Sequence, residues 1–303
     1  MKKPEVAVLI PCYNEAITIA NVVKDFQKHL PHAKIYVFDN NSTDETMSLA
    51  QKAGAIVFRE SYQGKGNVVR RMFREVQADI YLMVDGDETY DAAIAPQMIQ
   101  DVENHAYDMI VGIRAADDKE AYPSGHALGN KLFNWALKII FRSHFTDIFS
   151  GYRAFSKRFV KSFPALSSGF DIETELSIHA LEMKCPVKEV STIYRKRPEG
   201  SYSKLNTWTD GFKILWRMVI LYKEMRPFMF FAQIGLAIFA MALFLGYPIV
   251  KNYIATGLVP RFPTAILSAS LVIISFLSFT CGLILESLHQ ARREFKRLFY
   301  LNA

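Results

Sequence analysis

Two stretches of this chain, residues 227–250 and 262–285, carry no charged side chain, and each is 24 residues long. As a helix each would extend roughly 36 Å at ~1.5 Å per residue, enough to cross a hydrocarbon core of ~30 Å with some tilt. Helices buried in a soluble core usually keep a polar stripe. Here Gln233 and the Ser and Thr residues are the only strongly polar interruptions. Two membrane spans, at about 228–250 and 263–285, are the expectation. Lys213, Arg217, Lys223 and Arg226 precede the first run, and Arg292, Arg293, Lys296 and Arg297 follow the second. The short connection between them holds only Lys251 and Arg261 as charges. That asymmetry puts both termini on the cytoplasmic side. The opening "MKKPEVAVLIPCYNE" runs from two lysines into a strand-like segment and lacks an h-region with a cleavage site, so the large N-terminal part is expected in the cytosol.

That N-terminal part alternates strand and helix patterns. "VAVLIP" is a continuous apolar run, as expected of a strand covered on both faces. Ile19, Val22, Val23, Phe26 and Leu30 then recur at helical spacing, and Pro31 closes the helix. "KIYVFD" reads as a second strand, followed by a helix that Ser42 or Thr43 can cap and that ends at Gly54. "AIVFRES", "DIYLMVD" and "YDMIVGIR" read as the third, fourth and fifth strands, with helices between them. Such alternation predicts a Rossmann-like α/β domain with a mostly parallel sheet, whose ligands sit beyond the carboxyl ends of the strands. Those ends carry Asn14 and Glu15, Asp39, Asp85 and Asp87, and Arg114. The three cysteines, Cys12, Cys185 and Cys281, lie far apart and read as reduced thiols.

The chain has a formal net charge of +6, yet "YLMVDGDETYD" crowds Asp85, Asp87, Glu88 and Asp91 into one place. Asp85 and Asp87 share one side of an extended segment. Two carboxylates so close resist ionising together unless a cation lies between them. A hard divalent ion, Mg²⁺ or Mn²⁺, suits oxygen ligands completed by substrate phosphates. The tripeptide alone reads more readily as a solvated turn; its position at the end of a buried central strand reverses that in favour of the metal. "QGKGN" could bring backbone N–H groups and Lys65 to a phosphate at a helix start, and an ordinary loop reads as well. Further on, Trp208, Phe212, Leu215, Trp216, Val219 and Ile220 form one helical stripe beside basic residues, the pattern of an interfacial helix. Upstream of it, Arg195, Lys196, Arg197, Ser201, Ser203 and Lys204 surround Gly200, either as a patch for anionic lipids or as a phosphate clamp.

"PCYNE", "DNNSTDET", "GKGNVVR", "VDGDETYDA", "VGIR", "DIFSGYRAF" and "RPEGSYSKLNTWTDGFKIL" stand in the order found in family 2 glycosyltransferases with a GT-A fold. More narrowly, the chain resembles the branch containing dolichyl-phosphate mannose synthase and bacterial undecaprenyl-phosphate glycosyltransferases. The resemblance covers the N-terminal part nearly end to end, and the two apolar runs resemble the bacterial members. It implies a GT-A domain over 1–204, a juxtamembrane amphipathic region over 205–226 and a membrane domain over 227–303 with a basic cytosolic tail.

It further implies inverting, metal-dependent transfer of a hexosyl group from a nucleotide-diphosphate sugar to a polyprenyl phosphate, undecaprenyl or dolichyl. The setting would be a bacterial inner or plasma membrane. Pro11, Tyr13, Asn14, Glu15, Asp39, Lys65 and Asp85 match donor-binding positions, and Asp85 with Asp87 the metal motif. Arg114, Ser150, Arg153, Arg195, Arg197 and Lys204 match the acceptor-phosphate side. Asp87, Arg114, Asp147 and Arg153 are expected to carry the reaction, with Asp171, Glu173 and Glu175 in reserve as orienting groups. Two departures stand out: Asn40 where many relatives have a second aspartate, and Thr89 where some have a glutamine ligand.

An already ionised acceptor needs little help from a base, so His126, His144 and His179 read as structural or surface groups. No nucleic-acid partner is expected, and a homo-oligomer is compatible with the resemblance. A degenerate membrane-anchored adaptor and a nucleotidyltransferase-like enzyme are the alternatives.

Overall fold

The computed structural model describes residues 3–116, 145–166, 169, 172–195, 197–198, 219–220 and 222–303. Its strands are β1 (Val6–Cys12), β2 (Lys34–Asp39), β3 (Ile56–Arg59), β4 (Ile80–Met83), β5 (Met109–Ala116), β6 (Arg153–Ser156) and β7 (Val187–Tyr194). Among the described residues these form one sheet in the order β3-β2-β1-β4-β6-β5-β7. Neighbouring pairs are parallel except at β6, which runs antiparallel to both β4 and β5. The expected parallel strands are therefore present. The sequence reading missed β6 and β7.

The helices around the sheet are α1 (Ile19–His29), α2 (Thr46–Lys52), α3 (Lys65–Glu75), α4 (Ala95–Glu103), α5 (Lys157–Ser162) and α6 (Ile172–Met183). β1 shows why the sheet is buried on both sides. Its side chains alternate between faces, so Val8 and Ile10 join a core with Val22, Phe26 and Met98, while Ala7 and Leu9 join a second core with Val69, Met72 and Phe155. Ile19, Val22, Val23 and Phe26 of α1 are all buried as their spacing predicts, each contributing about 1.5–3 kcal/mol relative to exposure.

Neither Ser42 nor Thr43 caps α2, which begins later, at Thr46. Both serve the neighbouring β1 loop instead. Asn14 sits in the left-handed region at φ 53; its N–H donates to Ser42 Oγ at 2.8 Å, and its Oδ1 accepts from Thr43 N at 2.8 Å. The hydroxyls went where a strained turn had left backbone and side-chain groups to satisfy.

The chain divides into two compact units, Met1–Thr207 with Phe295–Ala303, and Trp208–Glu294. In the first, the terminal residues pack on the edge of the sheet remote from the strands' carboxyl ends. Tyr300 donates to Asp108 Oδ2 at 2.5 Å beneath the Arg158 guanidinium, and Lys296 pairs with Glu182 at 2.8 Å.

The second unit holds α7 (Pro227–Thr256) and all but the last residues of α8 (Phe262–Leu301), helices of 30 and 40 residues that are both long and apolar enough to cross a membrane. Serines of α8 turn toward α7: Ser268, Ser275 and Ser278 each donate across the pair, to the Ala242, Gly235 and Phe231 carbonyls, at 2.8 Å. A Cβ at Gly235 would come within 3.0 Å of Phe279 and 3.1 Å of the Ser275 carbonyl. Small residues thus let the backbones close, and the three serine hydroxyls are satisfied within the helix pair.

Candidate active site

All the parallel strands end at one edge of the sheet, and the antiparallel β6 begins there. Asp39, at the end of β2, is fully buried; its Oδ2 accepts from Ser42 N at 3.1 Å, while Oδ1 is buried with no hydrogen-bond partner. An orphaned buried carboxylate oxygen is costly, and a ligand N–H or O–H would relieve it. Asn40 is spent differently. Its Nδ2 donates to the Tyr62 carbonyl at 2.8 Å and its Oδ1 accepts from Gly64 N at 2.7 Å, pinning the loop that leads into α3. Pro11 and Tyr13 are half-buried on either side of the buried Cys12, and Glu15 N donates to Thr46 Oγ1 at 2.8 Å.

The acidic knot already has positive partners. Lys65, at the first turn of α3 behind Gly64 (φ 128), places its Nζ 2.5 Å from Asp85 Oδ1 and 2.5 Å from Glu173 Oε1. Burial would lower the ammonium pKa, but the two carboxylates outweigh it and hold the group above its ordinary value. Asp87, 3% exposed, accepts from Thr89 N at 3.2 Å and Thr89 Oγ1 at 2.6 Å through one oxygen, and meets Arg197 Nη2 at 2.6 Å through the other. Thr89 is therefore a support for Asp87. Asp91 caps the following turn through Ala93 N and lies 3.4 Å from Arg195. The backbone joins the same two segments, with Arg195 N donating to the Thr89 carbonyl at 2.8 Å.

Two carboxylates at the end of a buried strand are the hard-oxygen donor set that Mg²⁺ or Mn²⁺ takes when phosphate oxygens complete the shell. The cradle is shaped for Asp85 as well: a Cβ at Gly151 would collide with its carboxylate. Among the described residues no cluster of three or more His, Cys, Asp or Glu side chains forms a self-sufficient metal cage. Gly151→Ala is expected to displace Asp85 and cut turnover about 100-fold, since a misplacement of about 1 Å costs that much. Circular dichroism and steady-state assay of the variant would test this, with a normal spectrum expected.

Arg114 and Asp147 form a fork, Nε to Oδ2 at 2.6 Å and Nη2 to Oδ1 at 2.7 Å, with the guanidinium 5.5 Å from the Tyr194 ring centroid. Ser150 and Arg153 differ from the expectation that they line an acceptor surface. Both are fully buried. Ser150 donates to the Gly112 carbonyl at 2.5 Å. Arg153 donates from Nε to the Ser150 carbonyl at 2.9 Å, from Nη1 to Ser177 Oγ at 2.9 Å, and from Nη2 to the Ile148 carbonyl. Burial pulls its guanidinium pKa down to about 10. The reason is topological: β6 enters between β4 and β5, so "SGYR" points into the sheet.

Lys204, Lys196, Gly200, Ser201, Ser203, Asp171, His126, His144 and the Trp208–Trp216 part of the aromatic stripe lie outside the described residues. His179 is a core group, edge-on to Phe159 and Phe163, with burial pushing its pKa down to about 3.

A mostly parallel sheet with acidic groups at this edge defines a GT-A-type domain. The chain belongs to glycosyl transferase family 2, whose family model matches residues 7–163. It is 36% identical over 255 residues to the glycosyltransferase AglJ of Haloferax volcanii, covering 84% of each chain. It is 25% identical over 207 residues to a dolichyl-phosphate hexose transferase of the same organism, covering 68% of this chain and 89% of that one. Among solved structures, glucosyl-3-phosphoglycerate synthase from Mycobacterium tuberculosis, in complex with Mn²⁺ and UDP-glucose, superposes with TM-score 0.57 at 18% identity, covering 73% of this chain and 79% of that chain. That likeness is one of fold.

Proposed function

We propose that this glycosyltransferase moves a hexosyl group from a nucleotide-diphosphate sugar to a polyprenyl phosphate, undecaprenyl or dolichyl, with inversion and with dependence on a divalent cation. The reading is carried by one contact. Asp87, on the acidic donor edge, touches Arg197, from the basic segment that precedes the apolar helices in sequence, at 2.6 Å. That contact supports a reading in which donor and acceptor groups meet in one place. The lipid carrier named for the dolichyl-phosphate hexose transferase supports the acceptor class.

Asp85 and Asp87 would hold Mg²⁺ or Mn²⁺, which when bound neutralises the departing nucleotide diphosphate. Asp39 Oδ1 takes a hydrogen bond from the nucleoside, with Pro11, Tyr13, Asn14 and Glu15 shaping the same end. Lys65 lies beside the diphosphate. Arg114, fixed in orientation by Asp147, joins Arg195, Arg197 and Lys204 in positioning the acceptor phosphate. Its oxygen is already ionised, so alignment and charge balance are the main tasks, and a histidine base is not required. Ser150 and Arg153 act from inside, by holding the 148–153 loop. α7 and α8 would anchor the protein in a membrane of the bacterial inner or plasma type, with the catalytic unit and both termini cytoplasmic, as the flanking basic residues favour.

Purified protein in detergent, with Mn²⁺ or Mg²⁺, undecaprenyl phosphate and a panel of labelled UDP- and GDP-sugars, tests the reading. Label should pass to the organic phase only when cation and lipid phosphate are both present. Transfer that ignores the lipid phosphate would reject the acceptor class. Folded, donor-binding protein that transfers nothing from any sugar in the panel would count against the enzyme.

A further inference from the structure

Of the three acids in "GFDIETEL", Glu175 is occupied with the backbone, accepting from Leu166 N at 2.9 Å, and Asp171 lies outside the described residues. Glu173 is aimed elsewhere. It is 4% exposed, in the first turn of α6, where the helix's partial positive charge favours a carboxylate. Its Oε1 lies 2.5 Å from Lys65 Nζ, which is itself 2.5 Å from Asp85 Oδ1. The backbone on either side of Lys65 is fixed independently of this contact. Gly66 N donates to the Gly169 carbonyl at 3.1 Å, and Gly64 N to Asn40 Oδ1 at 2.7 Å.

One ammonium between two carboxylates leaves a net negative charge. Had Lys65 only Asp85 as partner, the two would form a closed neutral pair, and a cation arriving at Asp85 would strand a largely buried ammonium. Stranding one partner of a buried pair is strongly unfavourable. With Glu173 present, Lys65 keeps an anionic partner when Asp85 turns to a ligand, and its charge stays at the diphosphate end of the site.

We propose that Glu173 is a positioning residue of the active site: it holds Lys65 so that Asp85 is free to bind a cation and a nucleoside diphosphate. This rests on the reading of that edge as a cation-dependent donor site. Glu173 acts through Lys65, so its effect must vanish when Lys65 is absent.

The test is Mn²⁺ binding, followed by the loss of the free-ion paramagnetic resonance signal, on the full chain in detergent, with UDP and separately GDP present. Glu173→Gln preserves volume and is expected to weaken Mn²⁺ binding between about 10- and 100-fold, the usual effect of removing an outer partner of a metal ligand. In the double variant Lys65→Met/Glu173→Gln, binding should equal that of Lys65→Met alone. A merely structural role for Glu173 would instead add its loss to that of Lys65→Met. Wild-type affinity in Glu173→Gln, or additive losses in the double variant, would overturn the inference and leave the donor site standing. Wild-type Mn²⁺ binding that is absent, or unchanged by Asp87→Asn, would reject the donor-site reading and this inference with it.

Discussion

Asp87→Asn is expected to reduce transfer by roughly 10³-fold while leaving the protein folded. The substitution removes a charge and little else. Asparagine can keep the Thr89 N and Thr89 Oγ1 bonds through its carbonyl oxygen, because both now converge on a single Asp87 oxygen. Arg197, the partner of the other oxygen, is 31% exposed as a side chain and can return to solvent, so no buried charge is stranded. What is lost is the anionic oxygen that a divalent cation needs and the counter-charge that holds Arg197 at the donor edge. Turnover should fall at saturating lipid and donor alike, and thermal unfolding in detergent should be unchanged. Asp91→Asn is the contrast: Asp91 caps a turn, and its loss should be felt mildly in both measurements. An Asp87→Asn enzyme within tenfold of wild type would remove Asp87 from the chemistry.

The legible parts of this fold are those in which local pattern and tertiary environment agree. β1, β2 and β4 are short apolar runs because helices cover both faces of the sheet, and α1 repeats its buried positions at helical spacing because one side of it meets that sheet. β6 was illegible for the converse reason. It is four residues long, begins with a charged side chain, ends in a serine and follows a Ser-Gly-Tyr segment, yet it lies inside the sheet, in register with β4 from Met83–Arg153 to Ile80–Ser156. The carbonyls of Ile148 and Ser150 and the Ser177 hydroxyl help make that arginine tolerable, and no periodicity announces them.

Much of the same contrast holds at the site. Carboxylates at strand ends could be found by assuming parallel strands, which is how Asp39, Asp85 and Asp87 come together. Lys65 and Glu173 belong to different helices on distant parts of the chain, and the ion pairs that join Lys65 to both Glu173 and Asp85 have no sequence spacing to betray them. Nor did the surplus of basic residues reveal that Arg197 specifically would face Asp87. The acidic cluster is tolerated partly because the chain supplies its own cations, Lys65, Arg195 and Arg197.

Arg153 gives the second large effect, and it is one of stability. Arg153→Ala would leave a cavity the size of most of an arginine and two buried carbonyls, those of Ile148 and Ser150, without their donors. Cavity and unsatisfied acceptors together should cost about 3–5 kcal/mol. For a unit of this size each kcal/mol lowers the unfolding midpoint by about 2–4 °C, so a drop near 10 °C is expected. Activity should fall with it, because the loop Arg153 holds carries Gly151, on which the Asp85 carboxylate packs. Arg153→Lys keeps the charge but not the fork that reaches both carbonyls, and should lie between. The two measurements separate the roles that this arginine could have. A variant that loses stability first, with its residual activity still saturating at wild-type lipid concentrations, marks an internal brace. A variant of full stability that alone loses its affinity for the lipid phosphate would return Arg153 to the acceptor surface and require the 148–153 loop to open during the reaction.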